Sequence, residues 1–152
     1  MSFVVRYPDR TLLIDPMIQF AREELDHFHQ VYRLIEERGL RLGPDTEDEY
    51  VGILMKEVRF GREERFLDRL LVSSLIEARG HERLSLVAAH LEDTQLRIFY
   101  ERLARAEERH REFFVEIASL YFPNGVIEPR LSRLAEIEAK AIQSVPFRAA
   151  IH

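Results

Sequence analysis

The sequence predicts an all-α fold, a bundle of packed helices in a single domain over residues 1–152. Apolar residues recur at spacings of three and four over long stretches, which is the period of a helix buried on one face. The alternating pattern of strands is not found, and neither are internal repeats. With 152 residues and 46% hydrophobic content, the chain suffices for one buried core and is short for two.

Helix-capping and helix-breaking residues divide the chain in order. The predicted segments are the end of an apolar helix over 1–6, then helices over 11–37, 47–59, 64–91, 93–122 and 129–144. Gly39 is expected to end the helix over 11–37, because glycine is the usual residue just after a helix. The Asp15-Pro16 pair is either the N-terminal cap of that helix or a kink inside it.

Composition excludes several classes of protein. A net charge of −5 argues against a strongly basic protein that coats nucleic acid, although it leaves room for a local arginine patch. The absence of cysteine removes disulfides, thiolate iron–sulfur sites and cysteine-based zinc sites. No apolar run approaches the roughly 20 residues of a membrane-spanning helix, and no signal peptide opens the chain, so we expect a cytoplasmic protein.

Two Glu-x-x-His pairs are the strongest candidates for functional residues. Glu24 and His27 continue an apolar stripe at helical spacing, and Glu107 and His110 continue another. An ionised carboxylate in such a stripe costs several kcal/mol unless it is paired or bound to a metal. Their neighbours Glu23 and Glu108 fall on the polar faces. The four stripe residues are therefore predicted metal ligands.

A third carboxylate belongs with these pairs. Glu77 continues the stripe of the helix over 64–91, where small residues nearby leave space for a metal or a close helix contact. Glu82 is the competing candidate, since it could instead pair with Arg79 or Arg83. The helical-face argument favours Glu77 over Glu82.

This ligand set is typical of a carboxylate-bridged di-iron site in a ferritin-like bundle. There, two helices contribute one Glu each and two others contribute a Glu-x-x-His pair. The chain contains three of these four contributions, and the fourth, a Glu upstream of Glu24, is not in the sequence. We therefore expect a ferritin-like helical bundle that lacks most of its first helix.

Several segments, in the same order, resemble the MiaE-like tRNA methylthio-isopentenyl-adenosine hydroxylases. They are RYPDR (6–10), AREELDHFHQV (21–31), SLIEARGHERL (74–84), FYERLARAEERH (99–110) and LSRLAEIEAK (131–140). The resemblance implies that the family's iron ligands correspond to Glu24, His27, Glu77, Glu107 and His110. It also implies two non-haem iron ions, dioxygen as co-substrate, an external electron donor, and hydroxylation of the isopentenyl group of a tRNA adenosine next to the anticodon.

The chain departs from this family in two places. Relatives carry a whole helix before the position of Met1, so the start codon is misplaced, the chain is trimmed, or the helix is lost. His81 stands where a Cys is expected in relatives. A missing helix predicts an apolar groove along Leu13, Phe20, Leu70 and Leu84, and a possible homodimer through it.

Two other functions remain open from the sequence. One is another ferritin-like activity, such as metal storage or peroxide reduction, which would use the same ligands without a nucleic-acid surface. The other is a non-catalytic helical remnant that has lost its metal together with the first helix.

Overall fold

A computed structural model describes residues 2–44 and 46–146, and within these ranges all regular structure is helical, as predicted. Six helices lie in this part of the chain. They are α1 (Ser2–Arg6), α2 (Thr11–Glu37), α3 (Glu49–Lys56), α4 (Arg62–His90), α5 (Thr94–Ser119) and α6 (Asn124–Ser144). None of the described helices combines the length and the apolar character needed to cross a membrane.

The ends of α2 agree with the prediction. Gly39 has a φ of 68° and follows the helix, and the amides of Gly39 and Leu40 donate to the carbonyls of Glu36 and Ile35 at 2.8 and 3.0 Å. These two bonds form a Schellman motif, which satisfies carbonyls that the helix itself leaves open. Pro16 lies inside α2, so the reading of Asp15-Pro16 as the N-terminal cap is wrong.

Aspartate caps fix the starts of two other helices. The Asp93 carboxylate accepts hydrogen bonds from the amides of Gln95 and Leu96 at 2.8 and 3.1 Å, and that of Asp48 accepts from the amide of Val51 at 3.1 Å. Each cap satisfies amides that have no partner within the first helical turn. The cap on Asp93 sets the register of the helix that carries Glu107 and His110.

The last helix begins earlier than the sequence predicts. It starts at Asn124 rather than at Pro129, which lies inside it. The Pro123 carbonyl accepts from the amides of Val126 and Ile127 at 2.9 and 3.2 Å, so the first turn forms directly after Pro123. Pro123, in an extended conformation, is therefore the residue that precedes the last helix, whose start the sequence prediction placed at Pro129.

The chain divides into two compact units, Met1–Thr46 and Glu47–His152, which are described separately. The first contains α1 and α2, with Phe3, Tyr7, Leu13 and Met17 buried. The second contains α3 to α6, and its most extensive contact is between α4 and α5. Its largest fully buried side chains come mainly from α4: Phe66, Leu67, Leu70, Leu71 and Val72.

The prediction of an exposed apolar groove is wrong for three of its four residues. Leu13, Leu70 and Leu84 are 0%, 0% and 4% exposed, and Phe20 is partly buried. The large exposed apolar side chains on α2 are instead those of Leu12, Leu25, Phe28 and Val31. The prediction failed because it treated the ligand-bearing stripe as the exposed one.

Candidate metal centre

In the first unit, Glu24 and His27 lie one turn apart on α2. A Glu24 carboxylate oxygen is 3.5 Å from Nδ1 of His27, and a Glu23 carboxylate oxygen is 3.9 Å from its Nε2. The His27 side chain is 17% exposed and that of Glu24 is 39% exposed. The imidazole thus lies between two carboxylates at the partly open end of a stripe whose other end is buried.

In the second unit, α4 and α5 bring Glu77 and His110 together. A Glu77 carboxylate oxygen lies 3.7 Å from Nδ1 of His110, and both side chains are largely buried, at 14% and 4% exposure. Burying a carboxylate beside an imidazole is costly unless the pair shares a proton or a cation. Glu77 therefore offers a carboxylate oxygen beside a buried imidazole nitrogen.

Glu82 occupies a different environment. Its side chain is 53% exposed and forms an ion pair with Arg79, one turn earlier on α4. An exposed carboxylate with an arginine partner has no need of a metal for its charge. Of the two carboxylates, Glu77 is thus the one that lies beside His110, and Glu82 is the one that pairs with Arg79.

Small residues on α4 let α5 approach closely at this point. A Cβ added to Gly80 would lie 3.2 Å from a carboxylate oxygen of Glu107, so the missing side chain makes room for that carboxylate. Ser74 is buried, and its hydroxyl donates to the carbonyl of Arg111 at 3.0 Å. The space that the sequence predicts beside these small residues is occupied by α5.

The histidine at position 81 also connects the two helices. Nδ1 of His81 lies 2.7 Å from the carbonyl oxygen of Ala104 on α5. Because a carbonyl can only accept, Nδ1 carries the proton. His81 therefore adds a hydrogen bond between α4 and α5 three residues before Glu107.

The sequence reading missed a buried charge cluster around Asp68. This side chain is fully buried, and its carboxylate accepts from the guanidinium groups of Arg59 and Arg130 at 2.8 to 2.9 Å. Burial alone would raise the pKa of Asp68, but the hydrogen bonds from Arg59 and Arg130 outweigh it and lower that pKa to about 2. The available signal was an aspartate inside the apolar run FLDRLL.

A second missed cluster ties together α3, α4 and α6. Glu138 is buried, accepts two hydrogen bonds from Arg79 at 2.9 and 3.0 Å, and accepts a third from the hydroxyl of Tyr50 at 3.1 Å. Burial, and then the negative charge of Glu138, raise the pKa of Tyr50, so it stays a neutral donor. The cluster fixes Arg79, two residues along α4 from Glu77.

The donor types fit a non-haem iron centre. Carboxylate oxygens and neutral imidazole nitrogens are ligands that iron accepts, and the chain has no thiolate that could replace them. In the second unit, Glu77 and His110 are already adjacent, and Gly80 leaves room for Glu107. α4 and α5 thus bring carboxylate and imidazole donors together in the second unit.

Comparisons with known proteins point to one family. The family model described as "tRNA-(MS[2]IO[6]A)-hydroxylase (MiaE)" matches residues 1–152. A relative from Pseudomonas putida named tRNA 2-(methylsulfanyl)-N(6)-isopentenyladenosine(37) hydroxylase is 34% identical over 144 residues, which cover 95% of this chain and 70% of that protein. A Salmonella typhimurium protein of the same name is 33% identical over 132 residues, covering 87% of this chain and 48% of that protein.

A solved structure supports the ferritin-like fold. It is described as "Protein 43 with aldehyde deformylating oxygenase activity from Synechococcus" and superimposes with a TM-score of 0.85 at 38% sequence identity. The match covers 97% of this chain and 75% of that one. The likeness therefore extends over nearly all of the helices.

Proposed function

Because this chain belongs to the MiaE family, whose model matches it over residues 1–152, we propose that it hydroxylates the isopentenyl group of a hypermodified tRNA adenosine next to the anticodon. The reaction consumes dioxygen, two protons from solvent and two electrons from an external donor, which is a protein or a small reductant. One oxygen atom enters a C–H bond of the isopentenyl group, and the other leaves as water. The whole-chain family match carries this proposal.

We propose Glu24, His27, Glu77, Glu107 and His110 as ligands of two iron ions. Both Glu-x-x-His pairs offer ligand atoms that could hold a metal ion. The 3.7 Å approach of Glu77 to His110 supports the assignment of the third carboxylate. Three carboxylates and two neutral imidazoles would balance most of the charge of two ferrous ions, and water or a further carboxylate would complete the shell.

The chain's residues have distinct tasks in this proposal. When bound, the iron pair supplies the redox chemistry that activates dioxygen. The three carboxylates would neutralise most of the positive charge of the iron pair, and Glu77, at 14% exposure, would otherwise be costly to bury. The hydrogen bonds of Ser74 and His81 hold α4 against α5, so Glu77, Glu107 and His110 keep their relative positions.

Docking of tRNA would rely on local features because the net charge is −5. Four of the five arginines of α5, at 102, 105, 109 and 111, are exposed and alternate with glutamates on the same helix. That pattern fits a solvated face better than a continuous phosphate-binding surface. We place the protein in the cytoplasm, where its tRNA substrate is found.

Aldehyde deformylation is a second candidate, favoured by the solved structure that is 38% identical. The same ligand types would serve either reaction, so the substrate must decide. The test supplies iron-loaded protein, a chemical reductant and ¹⁸O₂ with tRNA that bears the unhydroxylated adenosine, and in parallel with a long-chain aldehyde. The proposal predicts a nucleoside heavier by one ¹⁸O atom. Shortened hydrocarbon product with unchanged tRNA would support the second candidate instead.

A further inference from the structure

A second apolar stripe runs along α2. Its members are spaced alternately by four and three residues over three heptads: Ile14, Ile18, Ala21, Leu25, Phe28, Tyr32 and Ile35. At 3.6 residues per turn, this stripe is rotated by about 100° from the one that carries Glu24 and His27. The site already described therefore does not use it.

The middle of this stripe is exposed. Leu25 and Phe28 are 68% and 54% exposed, whereas the other members are partly buried. A depression of about 530 Å³ lies here, lined by Arg22, Leu25, Asp26, Phe28, His29 and Tyr32. A strict repeat of four and three is the spacing with which one helix pairs with another along a seam. Over its length the stripe could contact a partner helix for about 30 Å.

The charges beside the stripe are arranged for self-pairing. Arg22, His29 and Glu36 recur every seven residues along one edge of the stripe. If two copies of α2 pair antiparallel about His29, Arg22 of each copy meets Glu36 of the other. In a parallel pair, Arg22 and Glu36 would instead be about 20 Å apart along the seam. The Tyr32 hydroxyl donates to Glu36 at 2.7 Å and so holds that carboxylate at the edge.

We propose that this face of α2 binds a second copy of the same chain, with the two α2 helices antiparallel. Leu25, Phe28 and Tyr32 form the apolar centre of the interface, and two Arg22–Glu36 pairs flank it. The pairing buries the exposed side chains of Leu25 and Phe28 without using either Glu-x-x-His pair. This interface differs from the groove that the sequence predicted, since it lies on another face of the helix.

Charge reversal tests the arrangement directly. Arg22→Glu alone, and Glu36→Arg alone, should each place like charges together twice in the dimer and raise its dissociation constant by about tenfold or more. An equimolar mixture of the two variants should form heterodimers as stable as the wild-type dimer, because both pairs then attract. Sedimentation equilibrium of the full chain measures all three samples. Equal self-association of all of them would overturn the antiparallel assignment.

Substitution of the apolar centre tests the face itself. Phe28→Glu should abolish the dimer at concentrations where the wild type is dimeric, while the circular dichroism of the helices stays unchanged. Leu12→Glu is the matched control, because Leu12 is 61% exposed on the opposite side of α2. A wild-type chain that is monomeric at about 100 µM would overturn the proposal, and the face would then be assigned to a helix of another protein. Equal loss of the dimer in both variants would also overturn it.

Discussion

A carboxylate oxygen of Glu77 on α4 lies 3.7 Å from Nδ1 of His110 on α5. Both side chains are largely buried, and the helices that carry them form the most extensive contact of the second unit. The contact is long for a hydrogen bond but short enough for two ligands of one metal ion. It defines the part of the proposed centre that belongs to one compact unit.

Glu77→Gln should weaken iron binding, whereas Glu82→Gln should leave it unchanged. The amide keeps the shape of the side chain but removes the negative charge that a cation requires. Glu82 already pairs with Arg79 at the surface. Iron content after anaerobic reconstitution measures both variants at matched protein concentration. Loss of iron in Glu82→Gln alone would show that Glu82, and not Glu77, is the ligand.

Gly80→Ala should disturb the metal site more than the fold. The added Cβ lies 3.2 Å from a Glu107 oxygen, so that carboxylate must shift by a few tenths of an ångström. Shifted ligands and their supports typically lose about 10- to 100-fold in metal affinity. The crowding lowers the free energy of unfolding, but alanine's higher helix propensity raises it by about 1 kcal/mol, so the net change in stability is small.

Gly52→Ala is the control for that experiment. No atom lies within 4 Å of a Cβ added at this position of α3. The variant should gain roughly 0.5 to 1 kcal/mol in the free energy of unfolding and bind iron as the wild type does. Titration of each apo-protein with ferrous iron gives the affinities. Identical iron affinities in both glycine variants would show that Glu107 does not depend on the space at Gly80.

Asp68 should make the free energy of unfolding depend on pH in acid. Its pKa is about 2 in the folded chain, below the ordinary 3.8, so the folded state binds fewer protons than the unfolded state in this window. The ion pairs therefore contribute their full stabilisation of roughly 2 kcal/mol above about pH 4, and it is lost as the pH falls toward 2. Denaturant unfolding across this range measures the loss. In Asp68→Asn the decline between pH 4 and 2 should be shallower, and an unchanged slope would contradict the assignment.

Glu138→Gln should destabilise the second unit by about 2 to 3 kcal/mol, because the partly buried Arg79 loses its buried charged partner and keeps only the exposed Glu82. Tyr50→Phe should cost about 1 kcal/mol, the usual value for one lost hydrogen bond. Glu136→Gln, on the same helix but 64% exposed, should stay within about 0.5 kcal/mol of the wild type. Chemical denaturation orders the three variants. A cost for Glu136→Gln that equals that of Glu138→Gln would contradict the account of the buried cluster.

Local signals predicted much of the fold and were enough to name the candidate ligands. The ends of α2 were predictable because Gly39 and the apolar period lie in the same short stretch of sequence. The candidate ligands were predictable because each pair lies one helical turn apart. The partners of Asp68 and Glu138 were not, because Arg130 and Arg79 lie 62 and 59 residues away from them along the chain. The second stripe of α2 was not predicted because the sequence prediction considered only the helix face that carries Glu24.

Iron content per chain in Glu107→Ala and Glu108→Ala tests the proposed centre most directly. Glu107 lies against Gly80 at the contact between α4 and α5, whereas Glu108 is exposed on the other side of α5. The wild type and Glu108→Ala should each hold about two iron ions per chain after anaerobic reconstitution. Glu107→Ala should lose that iron while its helical circular dichroism stays unchanged. Equal iron content in the two variants would contradict the ligand assignment.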